Sequence, residues 1–203
     1  MGKIRYLLPP SNQDNPSCVC GKTPGRQNFV VHALSCNKIH GFTWASRHAL
    51  LKVAFKKVLR QYGFRPDERE PRFDGEGPDV CFMLSDGPVL VDVTVVCPLA
   101  ISYVETEAAT PGSTLAAAEA EKIRLYSRLA ADRGMEFAPL AFTTGGTPGP
   151  KSLAFLRRCS TYTADPTGFV RHTLMALGVA IQVGNARLVN AAVASWWQFG
   201  VEK

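Results

Sequence analysis

Two carboxylates stand out because of their surroundings. Asp92 interrupts the apolar run VLVDVTVV, and Asp79 follows Pro78 at the start of VCFML. An ionised carboxylate in the middle of an apolar strand is costly to bury without a partner, so position 92 asks for a cation, a metal or a water-filled cleft. Pairing of the two segments as strands would bring Asp79 and Asp92 within reach of one hard cation. Oxygen donors of this kind suit Mg2+ or Mn2+, which take a few carboxylates, waters and a substrate phosphate. Such an ion lowers the pKa of water and neutralises charge on a scissile phosphate. Lys122 is the candidate amine to orient the water and stabilise the phosphorus centre. The chemistry implied is phosphodiester hydrolysis.

A second group of residues suits a softer ion. Cys18 and Cys20 flank one residue in a tight knuckle, and His32 and Cys36 follow in FVVHALSCNKIH. Four-residue spacing puts two side chains on one face of a helix. Two thiolates from the knuckle with a His and a Cys from the helix make a tetrahedral Zn2+ site. His40 is the alternative to Cys36 as fourth ligand. The other three cysteines, Cys81, Cys97 and Cys159, read as ordinary reduced thiols in or near the core.

Regular elements must position these groups. Apolar residues at Leu51, Phe55, Val58, Leu59 and Tyr62 predict a helix from Trp44 to Tyr62, capped by Thr43 or Ser46 and ended by Gly63. It carries Arg47 and His48 in its first turn and Lys52, Lys56, Lys57 and Arg60 further on. Strands are expected at Val80–Ser85 and Val89–Val96, joined by an Asp86-Gly87-Pro88 turn. A short helix is expected within Leu99–Gly112. Ser113–Arg133 reads as a helix holding Lys122 and Tyr126 on one face. Met135–Thr144 reads as a strand in which Pro139 marks an edge or a bulge. Helices follow at Lys151–Cys159, Gly168–Leu177 and Val179–Gln198, with Trp196 and Trp197 pinning the last. The order predicts an α/β fold, a small mixed sheet flanked by helices.

Charge divides the chain. Residues 1–72 carry 13 Lys+Arg against 4 Asp+Glu, whereas residues 73–203 carry 10 against 13. A basic front half beside an acidic-leaning half suits a polyanion-binding surface next to a metal site. Lys3 and Arg5 in a Pro- and Asn-rich arm could add phosphate contacts. The N-terminus lacks a signal-peptide pattern and no run of about 18 apolar residues occurs, so an intracellular protein with no membrane span is expected.

In this order, Cys18, Cys20, His32 and Cys36, then Arg47-His48, Glu70, Pro78-Asp79, Asp92-Val93, Lys122 and Tyr126 resemble the PD-(D/E)XK nuclease superfamily. More specifically, they resemble the restriction-like endonuclease region of site-specific non-LTR retrotransposon proteins, with its preceding CCHC zinc knuckle. The resemblance covers about residues 18–145. It implies that Asp79 and Asp92 hold Mg2+ or Mn2+, that Lys122 is the catalytic lysine, and that Tyr126, Arg47 and Glu70 support them. One departure matters: the usual (D/E)-x-K strand would place lysine at 94, where this chain has Thr94, so Lys122 must reach back from the following helix.

The resulting expectation is a two-part chain, an arm and zinc knuckle over residues 1–42 and a nuclease-like domain over residues 43–203. Its function would be metal-dependent endonucleolytic cleavage of duplex DNA, of the type that nicks a target for retrotransposon integration. Arg47, His48, Lys52, Lys56, Lys57 and Arg60 would track phosphates, with element RNA as a further partner and no small-molecule cofactor. The location would be nuclear in a eukaryotic host. The rivals are a non-catalytic nucleic-acid-binding zinc protein that kept the fold and a junction-resolvase-like nuclease. At 203 residues the chain is too short to hold a reverse transcriptase, so an excised domain or a stand-alone descendant is expected.

Overall fold

The structure, a computed structural model, describes residues 18, 20–36, 38–39, 44–73 and 77–199. The arm with Lys3 and Arg5, the Thr43 cap and His40 lie outside the described residues, as do the side chains of Ser46, Trp196 and Trp197. In chain order the elements are α1 (Gly25–Ser35), α2 (Trp44–Gln61), β1 (Val80–Leu84), β2 (Gly87–Val96), α3 (Val104–Ala109), α4 (Ser113–Ala131), β3 (Glu136–Thr143), α5 (Pro150–Ser160) and α6 (Pro166–Phe199).

The three strands form one mixed sheet in the order β1-β2-β3, with β1 antiparallel and β3 parallel to the central β2. Leu84 pairs with Gly87, so the hairpin turns at Ser85-Asp86, earlier than expected. Gly87 has φ of 143°, which its missing Cβ allows. Pro139 sits opposite Asp92 on β3, a sheet edge, where a missing N–H leaves no ladder position unfilled on the outer side.

Strand alternation gives the sheet two unlike faces. Val80, Phe82, Leu84, Val89, Val91, Val93, Val95, Leu140 and Phe142 turn one way into a core shared with α2, α5 and α6. Their partners there include Leu51, Phe55 and Leu59 from α2, Phe155 and Leu156 from α5, and Phe169, Leu177 and Ile181 from α6. The other face carries Leu90, Asp92 and Thr94, and α4 packs on that side against β3 and β2.

The C-terminal half differs from expectation. A single 34-residue helix, α6, runs through Gly178 instead of breaking there. An isolated helical glycine costs about 1 kcal/mol, whereas burying Leu177 and Ile181 on either side recovers more. Pro166–Ala194 is long and apolar enough to cross a bilayer by length and composition, although polar residues interrupt its apolar run. Its Phe169, Leu177, Ile181 and Leu188 are buried in the protein. In the C-terminal half of α6, Ala192 joins Cys18, Phe29, Ala33, Cys36 and Ile39 in a second small core, so the knuckle packs on α6 around residues 189–193.

Candidate active site

Asp79 enters the sheet at an irregular step. Its N–H donates to Val91 O at 2.9 Å, although Val91 is already the pairing partner of Val80. Two residues thus oppose one, the arrangement of a β-bulge, which re-aims a side chain. The Asp79 carboxylate folds back over β2, where Oδ2 accepts the Val93 N–H at 2.8 Å. Oδ1 lies 2.7 Å from His48 Nε2 and 3.4 Å from Lys52 Nζ, both from α2. Lys52 also pairs with Glu70. Burial works to raise the Asp79 carboxyl, but His48, the Val93 amide and Lys52 outweigh it and hold it below its ordinary value.

Asp92, 4% exposed, faces α4. Its Oδ2 lies 2.9 Å from Lys122 Nζ, yet this buried oxygen has no aligned hydrogen-bond partner. Burial pushes its carboxyl above the ordinary value against the pull of Lys122, and the nearby Asp79 charge adds to the rise. For Lys122, burial favours the neutral amine, but Asp92 prevails and keeps the ammonium above its usual value. One helical turn on, the Tyr126 ring lies 5.7 Å from Lys122 Nζ and 5.4 Å from the Phe137 ring. Cation–π attraction at that range helps hold the ammonium in place.

His48, Lys52 and, through Lys52, Glu70 thus group at Asp79, while Lys122 and, beside it, Tyr126 group at Asp92 on the central strand, and the two carboxylates lie near enough for the Asp79 charge to act on Asp92. The acidic pair fits a hard divalent cation by donor chemistry, and the unaligned Asp92 Oδ2 is a lone-pair site that such an ion would satisfy.

The expected phosphate-facing residues divide. His48 and Lys52 turn toward Asp79. Lys56 Nζ donates to the Asp67 and Glu68 carbonyls, and Arg60 pairs with Glu68 at 2.8 Å, so both brace the 67–70 segment. Lys57 is exposed. Arg47 departs furthest from expectation: it is 1% exposed and cannot reach a phosphate in this arrangement. Its Nη1 donates to Asn185 Oδ1 at 3.0 Å and to Leu34 O at 3.5 Å, joining α2 to α6 and α1. Gly184 makes the approach possible, because a Cβ there would fall 2.6 Å from Arg47 Cγ. The sequence held a signal for this: Arg47 lies on the same helical stripe as Leu51 and Phe55.

At the knuckle, the donor atoms of Cys18, Cys20, His32 and Cys36 all lie within 4.8 Å of one another. The sulfurs of Cys18 and Cys36 are 3.7 Å apart, and Cys20 Sγ is 3.5 Å from His32 Nε2. A tetrahedral zinc sets these edges at about 3.8 Å for S···S and about 3.6 Å for S···N. The four residues could hold zinc. Cys36 lies just past α1, with extended backbone (φ −83°, ψ 119°), instead of within the helix. Burial pushes the Cys18 thiol up to about 12, and burial keeps His32 below its ordinary value, hence neutral and able to ligate.

No family model matches the chain. Over 151 residues, 70% of its length, the chain is 30% identical to the Retrotransposable element SLACS 132 kDa protein of Trypanosoma brucei gambiense. The match spans 12% of that longer protein.

Proposed function

We propose that this chain is a metal-dependent DNA endonuclease of the PD-(D/E)XK type, acting as the nicking module of a retrotransposon protein. The observation that supports the reading is a pair of buried carboxylates distant in sequence, Asp79 held by the Val93 amide and Asp92 beside Lys122, close enough for the charge of one to act on the other. Similarity to a retrotransposon protein supports the biological setting.

Asp79 and Asp92 would hold Mg2+ or Mn2+, which supplies water activation and charge neutralisation when bound. Asp79 is ionised at neutral pH because His48, Lys52 and the Val93 amide favour its charged form. His48 fixes the carboxylate orientation from one side while the Val93 amide fixes it from the other. Lys122 stays cationic beside Asp92 and offers its N–H groups to the attacking water and to a phosphate oxygen. Glu70 holds Lys52 in place at the margin. In-line attack would leave a 5′-phosphate and a free 3′-hydroxyl able to prime DNA synthesis. Duplex DNA is the partner, Lys57 is the basic residue of α2 most available to it, and the compartment is the nucleus in a eukaryotic host.

Incubating the protein with supercoiled plasmid and Mg2+ tests the reading. Nicked circles whose 3′ ends a DNA polymerase extends are expected. Failure to nick with either Mg2+ or Mn2+ would sink it and leave the non-catalytic binder.

A further inference from the structure

Helix α4 turns a second charged side chain toward the sheet. Glu119, 0% exposed, lies one turn before Lys122. Its Oε1 accepts the Ser152 N–H at 2.8 Å and the Ser152 hydroxyl at 2.7 Å, and its Oε2 accepts the Lys151 N–H at 3.2 Å. Ser152 Oγ in turn accepts the Ala141 N–H of β3 at 2.8 Å. The N-cap residue of α5 is Gly149, which has no side chain to satisfy the first amides of that helix. Glu119 supplies the cap from another helix, with the favourable sign for a helix N-terminus. A Cβ on Gly149 would fall 2.2 Å from Glu119 Oε1, so the close approach needs a glycine there.

The clamp and the acidic site follow one register. α4 runs antiparallel to β3: Glu119 is tied to the level of Ala141, Lys122 reaches Asp92 opposite Pro139, and Tyr126 meets Phe137. A single ion pair at the end of a long, flexible lysine side chain does less to fix a helix than a clamp of several bonds. Buried charge-assisted hydrogen bonds are stronger and directional.

We propose that Glu119 is a positioning residue of the hydrolytic site: by capping α5 it sets the axial register and rotation of α4, and so holds Lys122 on Asp92. Its catalytic consequence rests on the nuclease reading. Its geometric consequence does not.

Two readouts on Glu119→Gln in the full chain separate these. The first is acylation of Lys122 by an amine-reactive ester, read by mass spectrometry against exposed Lys57. Release of the α4 register should raise Lys122 labelling about fivefold. The second is single-turnover nicking, expected to fall about tenfold to a hundredfold with DNA affinity unchanged. Unchanged Lys122 labelling in a folded variant overturns the proposal. Should the parent protein not nick, the hydrolytic reading fails while labelling still decides the role of Glu119. Should Glu119→Gln not fold, Ser152→Ala should raise the same labelling by a smaller factor, and no rise overturns the proposal.

Discussion

The knuckle and the carboxylate site both gather metal-ligating side chains, but they balance charge differently. At the knuckle, thiols face one another and a neutral imidazole, with sulfurs 3.7 Å apart and the Cys18 thiol pushed up to about 12. Burial disfavours the Cys18 thiolate, whereas at Cys20 burial is outweighed by the Lys22 amide and the neighbouring thiols, which hold that thiol below its ordinary value, and a bound cation would displace the protons that remain. At the carboxylate site, Asp79 already meets His48, Lys52 and an amide, and Asp92 meets Lys122. There the protein supplies the positive charge itself. The contrast teaches that zinc would belong to the fold, whereas a catalytic ion would be an exchangeable visitor at a site already assembled.

Removing zinc should therefore produce the largest effect on stability. Structural zinc contributes on the order of 10 kcal/mol in small modules, and the knuckle shares a core with Ala192 of α6. Cys36→Ser should abolish stoichiometric zinc by elemental analysis and lower Tm by about 10 °C or more. Adding or chelating Mg2+ should move Tm by no more than about 3 °C. Equal sensitivity to both ions would break the contrast.

A smaller effect should come from the frame around α4. Glu107, on α3, accepts hydrogen bonds from the Thr114 and Gly112 amides and the Ser113 hydroxyl; Thr114 foremost, these partners pull its carboxyl down to about 2. A folded-state pKa below the ordinary value of 4.5 means that the cap stabilises fully above that pH. The contribution is lost as pH falls from 4.5 toward 2. Glu107→Gln should lower Tm slightly at neutral pH, and the difference from the parent should vanish across that window. A difference that persists at the acid end would mean that another group holds the start of α4.

How much of this was legible in the sequence varies by residue, for physical reasons. Asp92 could be read because a charge in a valine run has few explanations, and the four zinc-type donors because their spacing is tight. The helices α2 and α4 followed from periodicity and glycine stops. The α6 helix was misread as two because a glycine is local punctuation, whereas its helicity is decided by core contacts on both sides. Arg47 is assigned the wrong role from sequence and Glu119 goes unnoticed for a shared reason. Each is a charged residue on the inward stripe of a helix, and its role depends on partners 138 and 33 positions away. The stripe itself was the available signal: Glu119 falls in line with Leu115, Lys122 and Tyr126. The Asp79 side chain takes its direction from a bulge, which strand alternation does not foresee.

The central claim is tested most directly by Asp92→Ala in a Mg2+-dependent plasmid nicking assay, run beside DNA binding and thermal unfolding. Nicking should fall by about a thousandfold or more while DNA affinity and folding stay close to the parent, with Asp79→Ala behaving alike. Parent-like nicking by both folded variants would contradict it and place any hydrolysis elsewhere on the molecule.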